Sequence, residues 1–212
     1  MEAISSTSTA TRQSRGESKR AEILAAALAV FLANGYLGTN LDDVAAAARA
    51  SKRTLYAHFG DKEGLFREVI RGTVAPMHAA LQAELDLAPR QDAREALQSL
   101  AHNLATIIVT PTVAQLRRII IAEADRFPDL AAEWYRLGPQ QTVARIAAYI
   151  DGLGLELVDP RSAAEQLLWL SISAPLNRLM FAPAGTRPTN RELRHAADGA
   201  AETFWRAFGP RD

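Results

Sequence analysis

The segment from Ser51 to Phe59, SKRTLYAHF, brings a hydroxyl suited to capping a helix, two cations and two polar aromatic rings close together. If Ser51 caps a short helix, then Lys52, Arg53 and Thr54 occupy its first turn. A first turn of this kind can enter a DNA major groove, where arginine binds guanine O6 and N7 with about 1–3 kcal/mol of discrimination. The pattern therefore predicts base and phosphate contacts with double-stranded DNA.

Neighbouring positions extend the predicted contact surface. Leu55 and Phe59 are four residues apart and face inward together, which leaves Tyr56 and His58 able to reach phosphates. Taken singly, a tyrosine such as Tyr56 is more often a half-buried core residue than a DNA contact. A histidine such as His58 is more often a surface or capping residue. Free backbone N–H groups at the starts of the flanking helices also attract phosphate. The predicted DNA-binding residues are Thr39, Asn40, Ser51, Lys52, Arg53, Thr54, Tyr56, His58 and Lys62.

The overall composition limits how DNA could be bound. The chain has 24 basic and 24 acidic residues, so binding must come from a local patch instead of a global positive field. Cysteine is absent, which excludes disulfides and thiolate metal sites and fits a reducing compartment. The first residues lack the apolar run of a signal peptide. We expect a cytoplasmic protein with no cofactor, no metal site and no membrane partner.

The sequence predicts an all-α fold of about nine helices. Residues 1–16 are rich in Ser and Thr and predict a disordered arm, in which Arg12 and Arg15 are further candidates for DNA contact. Asn40 and Ser51 are predicted N-caps, and Asp43 lies at a capping-box position. Pro76 predicts a kink or a new helix. Further boundaries fall at 17–35, 92–110, 112–126, 128–151 with a bend at 138–139, 160–181 and 190–208.

The stretch from about Lys19 to Phe66 resembles the N-terminal domain of the TetR family of transcriptional regulators. The resemblance rests on FLANGYLGTN and on LDDVAAAARASKRTLYAHFGDKEGLF, and IIIAEADRFPDLAAEWYRLGP resembles the C-terminal domain of the AcrR/AefR-like subgroup. The resemblance implies a helix-turn-helix domain over residues 17–62 and an effector-binding, dimerising domain over residues 63–212. It also implies the DNA-contacting roles given above.

One position departs from the family pattern. The family usually has glycine in the turn between the two helices, where this chain has Arg49. Arginine in a left-handed conformation costs about 1 kcal/mol relative to glycine. Either the turn is formed differently, or Arg49 recovers the difference elsewhere, for example by contacting a phosphate.

A homodimer is expected because one helix reads only a few base pairs. Two such helices about 34–36 Å apart on a two-fold axis read a near-palindrome. The last two helices carry broad apolar surfaces, which pack either between protomers or within one protomer. The predicted interface residues are Ala163, Leu167, Leu170, Ala174, Leu193, Ala197 and Phe204.

Apolar and aromatic residues of the middle helices could line a pocket for a small, lipophilic effector, although residues of this kind more often belong to an ordinary core. The predicted lining residues are Met77, Leu81, Leu104, Ile108, Leu116, Ile120, Phe127, Trp134, Tyr135 and Trp169. We therefore expect a DNA-binding repressor that responds to a ligand, and activation of transcription is the alternative mode of action. The alternatives are a helical protein-binding adaptor and an enzyme, although no catalytic sequence motif occurs.

Overall fold

The described chain is helical throughout. The structure is a computed structural model that describes residues 5–87 and 92–210, and the side chains of residues 17–87 and 92–210. Within these ranges there is no β-strand, and the all-α prediction is confirmed. The α-helices are α1 (Ser5–Gly38), α2 (Leu41–Ala47), α3 (Lys52–Phe59), α4 (Lys62–Leu87), α5 (Ala93–Ile108), α6 (Pro111–Ala122), α7 (Pro128–Tyr135), α8 (Gln141–Ile150), α9 (Pro160–Phe181) and α10 (Asn190–Phe208).

The segment from α7 to α8 is continuous. A π-helical turn, Arg136–Gln140, joins the two helices at the predicted bend. Proline in a helix lacks the N–H that closes a backbone hydrogen bond, and the π-helical turn places Pro139 where this loss is accommodated. Counted as one helix, this segment gives nine helices among the described residues, as the sequence predicts.

The first helix differs from its prediction at one end and agrees at the other. It begins at Ser5, inside the predicted disordered arm, and no proline in residues 5–16 prevents a helix there. Residues 1–4, and the Arg12 and Arg15 side chains with their predicted DNA contacts, lie outside what the structure describes. At the other end Gly35 has φ 70°, a left-handed conformation that glycine adopts without strain. The predicted break at Gly35 is therefore confirmed.

The chain divides into two compact units, Met1–Gly72 and Thr73–Asp212. The first unit extends past the predicted limit at residue 62 because the start of α4 belongs to its core. The Phe66 ring lies 4.6 Å from that of Phe31 and 5.2 Å from that of Tyr36, measured between centroids. Leu65 and Ile70 are also fully buried. Burial of these apolar side chains fixes α1 and the start of α4 relative to each other.

One segment of α1, Glu17–Gly38, is long and apolar enough to cross a membrane when only its length and composition are considered. Its apolar residues Ile23, Ala27 and Phe31 recur at helical spacing and are completely buried in the first unit. A core helix of a folded domain can have the same length and composition, so this feature is weak support for a membrane role.

The second unit has a continuous apolar core formed chiefly by α5, α8, α9 and α10. This core contains most of the predicted dimer residues, because α9 packs against four neighbouring helices, α5, α6, α8 and α10, and uses much of its apolar circumference inside the protomer. The buried members are Ala163, Leu167, Leu193, Ala197 and Phe204, and their burial favours the alternative that these surfaces pack within one protomer. Leu170 and Ala174 remain exposed.

Helix α4 continues through Pro76, so of the two predicted alternatives, a kink or a new helix, no new helix begins there. Pro76 has no N–H to donate to the carbonyl of Gly72, four residues earlier. The helix therefore lacks one backbone hydrogen bond close to the division between the two units.

Candidate nucleic-acid interface and inner cavity

Two side-chain caps set the geometry of α2 and α3. Asn40 Oδ1 accepts a hydrogen bond from the backbone N–H of Asp42 at 3.0 Å, and Ser51 Oγ accepts one from the backbone N–H of Thr54 at 3.1 Å. Both oxygens satisfy N–H groups that the first turn of a helix leaves without partners. The two predicted N-caps are therefore confirmed.

The turn between α2 and α3 has the left-handed form despite its arginine. Arg49 has φ 47°, and the backbone N–H of Ala50 donates to the carbonyl of Ala45 at 2.9 Å. The Lys19 ammonium of α1 donates to the Ala48 and Arg49 carbonyls at 2.9 and 3.2 Å. This long-range contact stabilises the turn, and no pattern near Arg49 indicates it.

Helix α3 has a buried side and an outer face. Leu55 is 1% exposed and Phe59 is buried, so together they attach the helix to the first unit. The outer face of α3 consists of Lys52, Arg53, Tyr56 and His58, all of which are exposed. Thr54 lies between the two sides, and its hydroxyl is 2.8 Å from Ser51 Oγ.

Lys52 is already paired inside the protein. Its Nζ lies 2.9 Å from a carboxylate oxygen of Asp42 in α2. The hydrogen bond to Asp42, and then the charge of that carboxylate, raise the pKa of Lys52 above its ordinary value. By contrast, Arg53 has no ion-pair partner within the described ranges, and its guanidinium is directed to solvent.

Two of the residues predicted to contact phosphate, Thr39 and Lys62, also make contacts inside the first unit. Thr39 is only 4% exposed, and its hydroxyl donates to the Gly35 carbonyl at 2.7 Å. Its side chain therefore does not fit the predicted contact with DNA. The Lys62 ammonium donates to the Leu37 carbonyl at 3.2 Å and lies 4.7 Å from the centre of the Tyr36 ring. Both side chains stabilise the end of α1. The Thr39 contact is local, whereas the Lys62 contact joins residues that are 25 positions apart.

Gly64 is a structural residue that the sequence analysis does not single out. Its backbone N–H donates to Asp61 Oδ1 at 2.7 Å, which caps the start of α4. A β-carbon at this position would lie 2.1 Å from the Phe59 carbonyl oxygen. Glycine therefore permits the close approach of α4 to the end of α3, and this approach holds α3 in place.

The second unit contains an inner cavity of about 520 Å³, part of it open to solvent. Of the predicted pocket residues, Met77, Ile108, Trp134 and Trp169 line it. The complete lining is Thr73, Val74, Met77, Ile108, Val113, Arg117, Trp134, Gly138, Pro139, Thr142, Leu168, Trp169, Ile172 and Leu176.

Six of the predicted pocket residues are not among those that line the cavity. Leu81, Leu104, Leu116 and Ile120 pack as ordinary core, because any helical unit buries such a stripe. Tyr135 is exposed and Phe127 is partly buried. Apolar periodicity alone does not distinguish a side chain that borders a void from one that fills the space between helices.

Polar groups of the cavity wall are organised around the π-helical turn. The Thr142 hydroxyl donates to the Gly138 carbonyl at 2.9 Å, so it accepts from the Nε2–H of buried His78 at 3.1 Å. Burial, and then the positive charge of Arg145, lower the pKa of His78 below its ordinary value. His78 is therefore neutral at physiological pH.

Comparisons with known proteins agree with this architecture. Residues 23–69 match the family described as bacterial regulatory proteins, tetR family, and residues 95–210 match the C-terminal domain of AefR-like transcriptional repressors. The second match alone spans more than half of the chain.

Solved structures extend the similarity over most of the chain. A TetR-family transcriptional regulator from Mesorhizobium loti MAFF303099 is 34% identical with a TM-score of 0.84, over 92% of this chain and 99% of that one. The Flavonoid-responsive Regulator FrrA is 31% identical with a TM-score of 0.69, over 92% of this chain and 100% of that one.

Curated relatives match over shorter stretches. The HTH-type transcriptional repressor NicS of Pseudomonas putida is 35% identical over 89 residues, which are 41% of this chain and 42% of that protein. The chain thus spans less than half the length of that relative. The chain belongs to the TetR family of DNA-binding transcriptional regulators, and residues 95–210 form a C-terminal domain of the AefR-like repressor type.

Proposed function

We propose that this regulator represses transcription as a cytoplasmic homodimer that binds a near-palindromic operator and leaves it when a small effector occupies the inner cavity. The observation that carries the DNA half of this proposal is the outer face of α3. Its buried side fixes the helix, while the Arg53 guanidinium stays exposed near the N-terminal end. A helix presented in this way can place arginine against base edges in the major groove.

The proposed contacts divide by role. Arg53 reads a base, whereas Lys52, Tyr56 and His58 contact phosphates and set the position of α3 on the duplex. Asn40 and Ser51 lie at the starts of α2 and α3, where free N–H groups favour a phosphate. Lys52 must exchange Asp42 for a phosphate on binding. Thr39 is left out because its hydroxyl is buried.

The proposed dimer surface is the exposed side of α9, which we call the α9 face: Leu170, Ser173, Ala174 and Phe181. Leu170 is 42% exposed and Phe181 is 85% exposed, so two large apolar side chains of one helix are open to solvent. Thr203 of α10 lies beside Leu170 along the same shallow groove. Packing of the α9 and α10 faces of two protomers would cover this apolar surface and form a four-helix bundle.

The dimer has a direct test in solution. The variant Leu170→Glu places a charge in the centre of the α9 face, and we expect it to shift the protein to a monomer at micromolar concentration. Leu87→Glu is the matched control, because Leu87 is 82% exposed and lies outside the α9 face. Light scattering after size-exclusion chromatography reports the mass. A wild-type monomer, or a Leu170→Glu dimer, would contradict the proposed surface.

The proposed switch uses α4. Its residues Thr73, Val74 and Met77 line the inner cavity, and the missing backbone hydrogen bond between Gly72 and Pro76 makes this part of the helix easier to bend. An effector that nearly empties the operator must bind the released conformer about 10⁴-fold more tightly than the DNA-bound one. The structural relative FrrA is named as flavonoid-responsive, which supports an aromatic effector for a cavity walled by Trp134 and Trp169.

The DNA half is tested by selecting operators from random duplex DNA with the purified protein and measuring affinity by gel shift. We expect a near-palindrome, and we expect Arg53→Ala to lower affinity about tenfold while relaxing the preference at one base pair per half-site. Arg161→Ala is the control, since Arg161 is exposed and lies in the second unit. If Arg53→Ala and Lys52→Ala both retain wild-type affinity, α3 is not the DNA-reading helix.

A further inference from the structure

Arg117 differs from the other partly buried arginines in the hydrogen-bond acceptors that surround its guanidinium. The described residues contain five partly buried arginines: Arg20, Arg67, Arg117, Arg118 and Arg145. Within the described ranges, four of them have a hydrogen-bond acceptor and Arg117 has none. The acceptors are Glu68 for Arg20, Glu63 for Arg67, the Met180 and Ala182 carbonyls for Arg118, and the Gln141 carbonyl for Arg145.

Arg117 lies in the wall of the inner cavity and is the charged residue of its lining. Its guanidinium carbon is 5.5 Å from the centre of the Trp169 ring, a cation–π contact that leaves the N–H donors unused. Burial lowers the pKa of Arg117 from its ordinary value. A partly desolvated cation without an acceptor is unfavourable, and an oxyanion at this place would relieve the deficit.

Thr142, another polar residue of the cavity wall, already has hydrogen-bond partners inside the protein. The Thr142 hydroxyl already donates to Gly138 and accepts from His78. Most of the remaining lining is apolar, with Met77 and the Trp134 ring among its larger members. A ligand that is complementary to this cavity therefore carries one anionic group near Arg117 and is apolar elsewhere.

We propose, on the basis of the function proposed above, that the effector is an amphiphilic carboxylate whose apolar or aromatic body fills the inner cavity and whose carboxylate accepts hydrogen bonds from Arg117. A guanidinium presents parallel N–H donors that match the two oxygens of a carboxylate.

The position of Arg117 also offers a route to the dimer surface. Arg117 and Trp169 border a second, more open cavity of about 570 Å³, which Ser173 and Ala174 of the α9 face also line. A carboxylate that draws the Arg117 guanidinium toward the inner cavity changes its contact with Trp169. Effector binding is thereby connected to the surface proposed to pair the two protomers.

The experiment uses the full chain without DNA and a panel of matched probes: benzoate with benzamide, 2-naphthoate with 2-naphthamide, and 4-biphenylcarboxylate with its amide. Each pair shares its apolar body and differs in charge. Calorimetric titration at pH 7.5 should show at least one carboxylate binding about 10-fold to 100-fold more tightly than its amide. Arg117→Met should abolish this preference, and Arg117→Lys should retain part of it.

Two controls separate loss of the anion site from loss of structure. Arg161→Met removes an exposed arginine of the same unit and should keep the full preference. Arg117→Met should keep the wild-type helical circular-dichroism spectrum, which shows that the variant is still folded. Equal binding of acids and amides, binding of no probe, or a preference that survives Arg117→Met would overturn the proposal. The operator assay is independent of these titrations, so failure of DNA recognition is detected separately.

Discussion

Gly64→Ala adds one methyl group at the junction between α3 and α4 and tests how α3 is held. The new β-carbon would lie 2.1 Å from the Phe59 carbonyl oxygen, far inside any normal contact distance. The obstacle is backbone, so no side-chain rotation relieves it. Either the end of α3 or the start of α4 must move, and the hydrogen bond from Gly64 N–H to Asp61 lengthens.

The size of the effect follows from two opposing terms. Overpacking a well-packed site costs about 1–3 kcal/mol. Replacing a helical glycine by alanine returns up to about 1 kcal/mol through the lower backbone entropy of the unfolded chain. Because the 2.1 Å approach to a backbone oxygen places the overpacking cost at about 2–3 kcal/mol, the net change is a loss of about 1–2 kcal/mol in the free energy of unfolding. For a chain of 212 residues this corresponds to a fall of about 2–8 °C in Tm.

Gly72→Ala is the matched control in the same helix. A β-carbon at Gly72 meets nothing within 4 Å, so the entropic gain is unopposed and the free energy of unfolding should rise by about 0.5–1 kcal/mol. Thermal unfolding followed by circular dichroism measures both variants, and gel shift should show weaker operator binding for Gly64→Ala. A Gly64→Ala protein that melts at or above the wild-type Tm would refute the proposed packing of α3 against α4.

Three further predictions concern turn strain, charge and pH. Arg49→Gly should raise the free energy of unfolding by about 1 kcal/mol, because φ 47° costs glycine nothing; a simultaneous fall in DNA affinity would identify a phosphate contact. Asp42→Asn frees Lys52 and should strengthen DNA binding while steepening its salt dependence, measured by gel shift between low and moderate salt. The lowered pKa of His78 means that the unfolded chain takes up the proton first. Stability should therefore be complete above about pH 6.5 and fall as the pH drops below it, and His78→Gln should flatten this part of the melting profile.

The parts of the site that the sequence predicts correctly depend on short-range geometry. An N-cap needs an oxygen two or three residues before the N–H that it satisfies, so Asn40 and Ser51 are recognisable from their position alone. The side chains of Thr39 and Lys62 donate hydrogen bonds to carbonyls at the end of α1, and the Lys19 ammonium donates to the Arg49 carbonyl. The Lys62 and Lys19 contacts join residues that are 25 and 30 positions apart, and no local pattern relates such residues.

The second unit is less predictable for a different reason. Helix α9 carries apolar residues around much of its circumference, so helical periodicity does not indicate which of them face the protomer core. Leu167 is completely buried, whereas Leu170 is exposed. A cavity is a property of the space between helices, and Arg117, beside Arg118 in the sequence, has the pattern of an ordinary solvated pair.

The neutral overall charge fits a protein that reads sequence in preference to binding any DNA. Non-specific binding depends on phosphate contacts, and each one requires a cation that is free to make it. Lys52 must first leave Asp42, which offsets part of its gain from a phosphate, whereas Arg53 has no such partner among the described residues. In the proposed complex, the Lys52–Asp42 pair should therefore weaken binding to all sequences by a similar amount and leave the base contact of Arg53 intact. In Asp42→Asn, affinity for random DNA should consequently rise at least as much as affinity for the operator. A rise confined to the operator would show that Lys52 contacts a base instead of a phosphate.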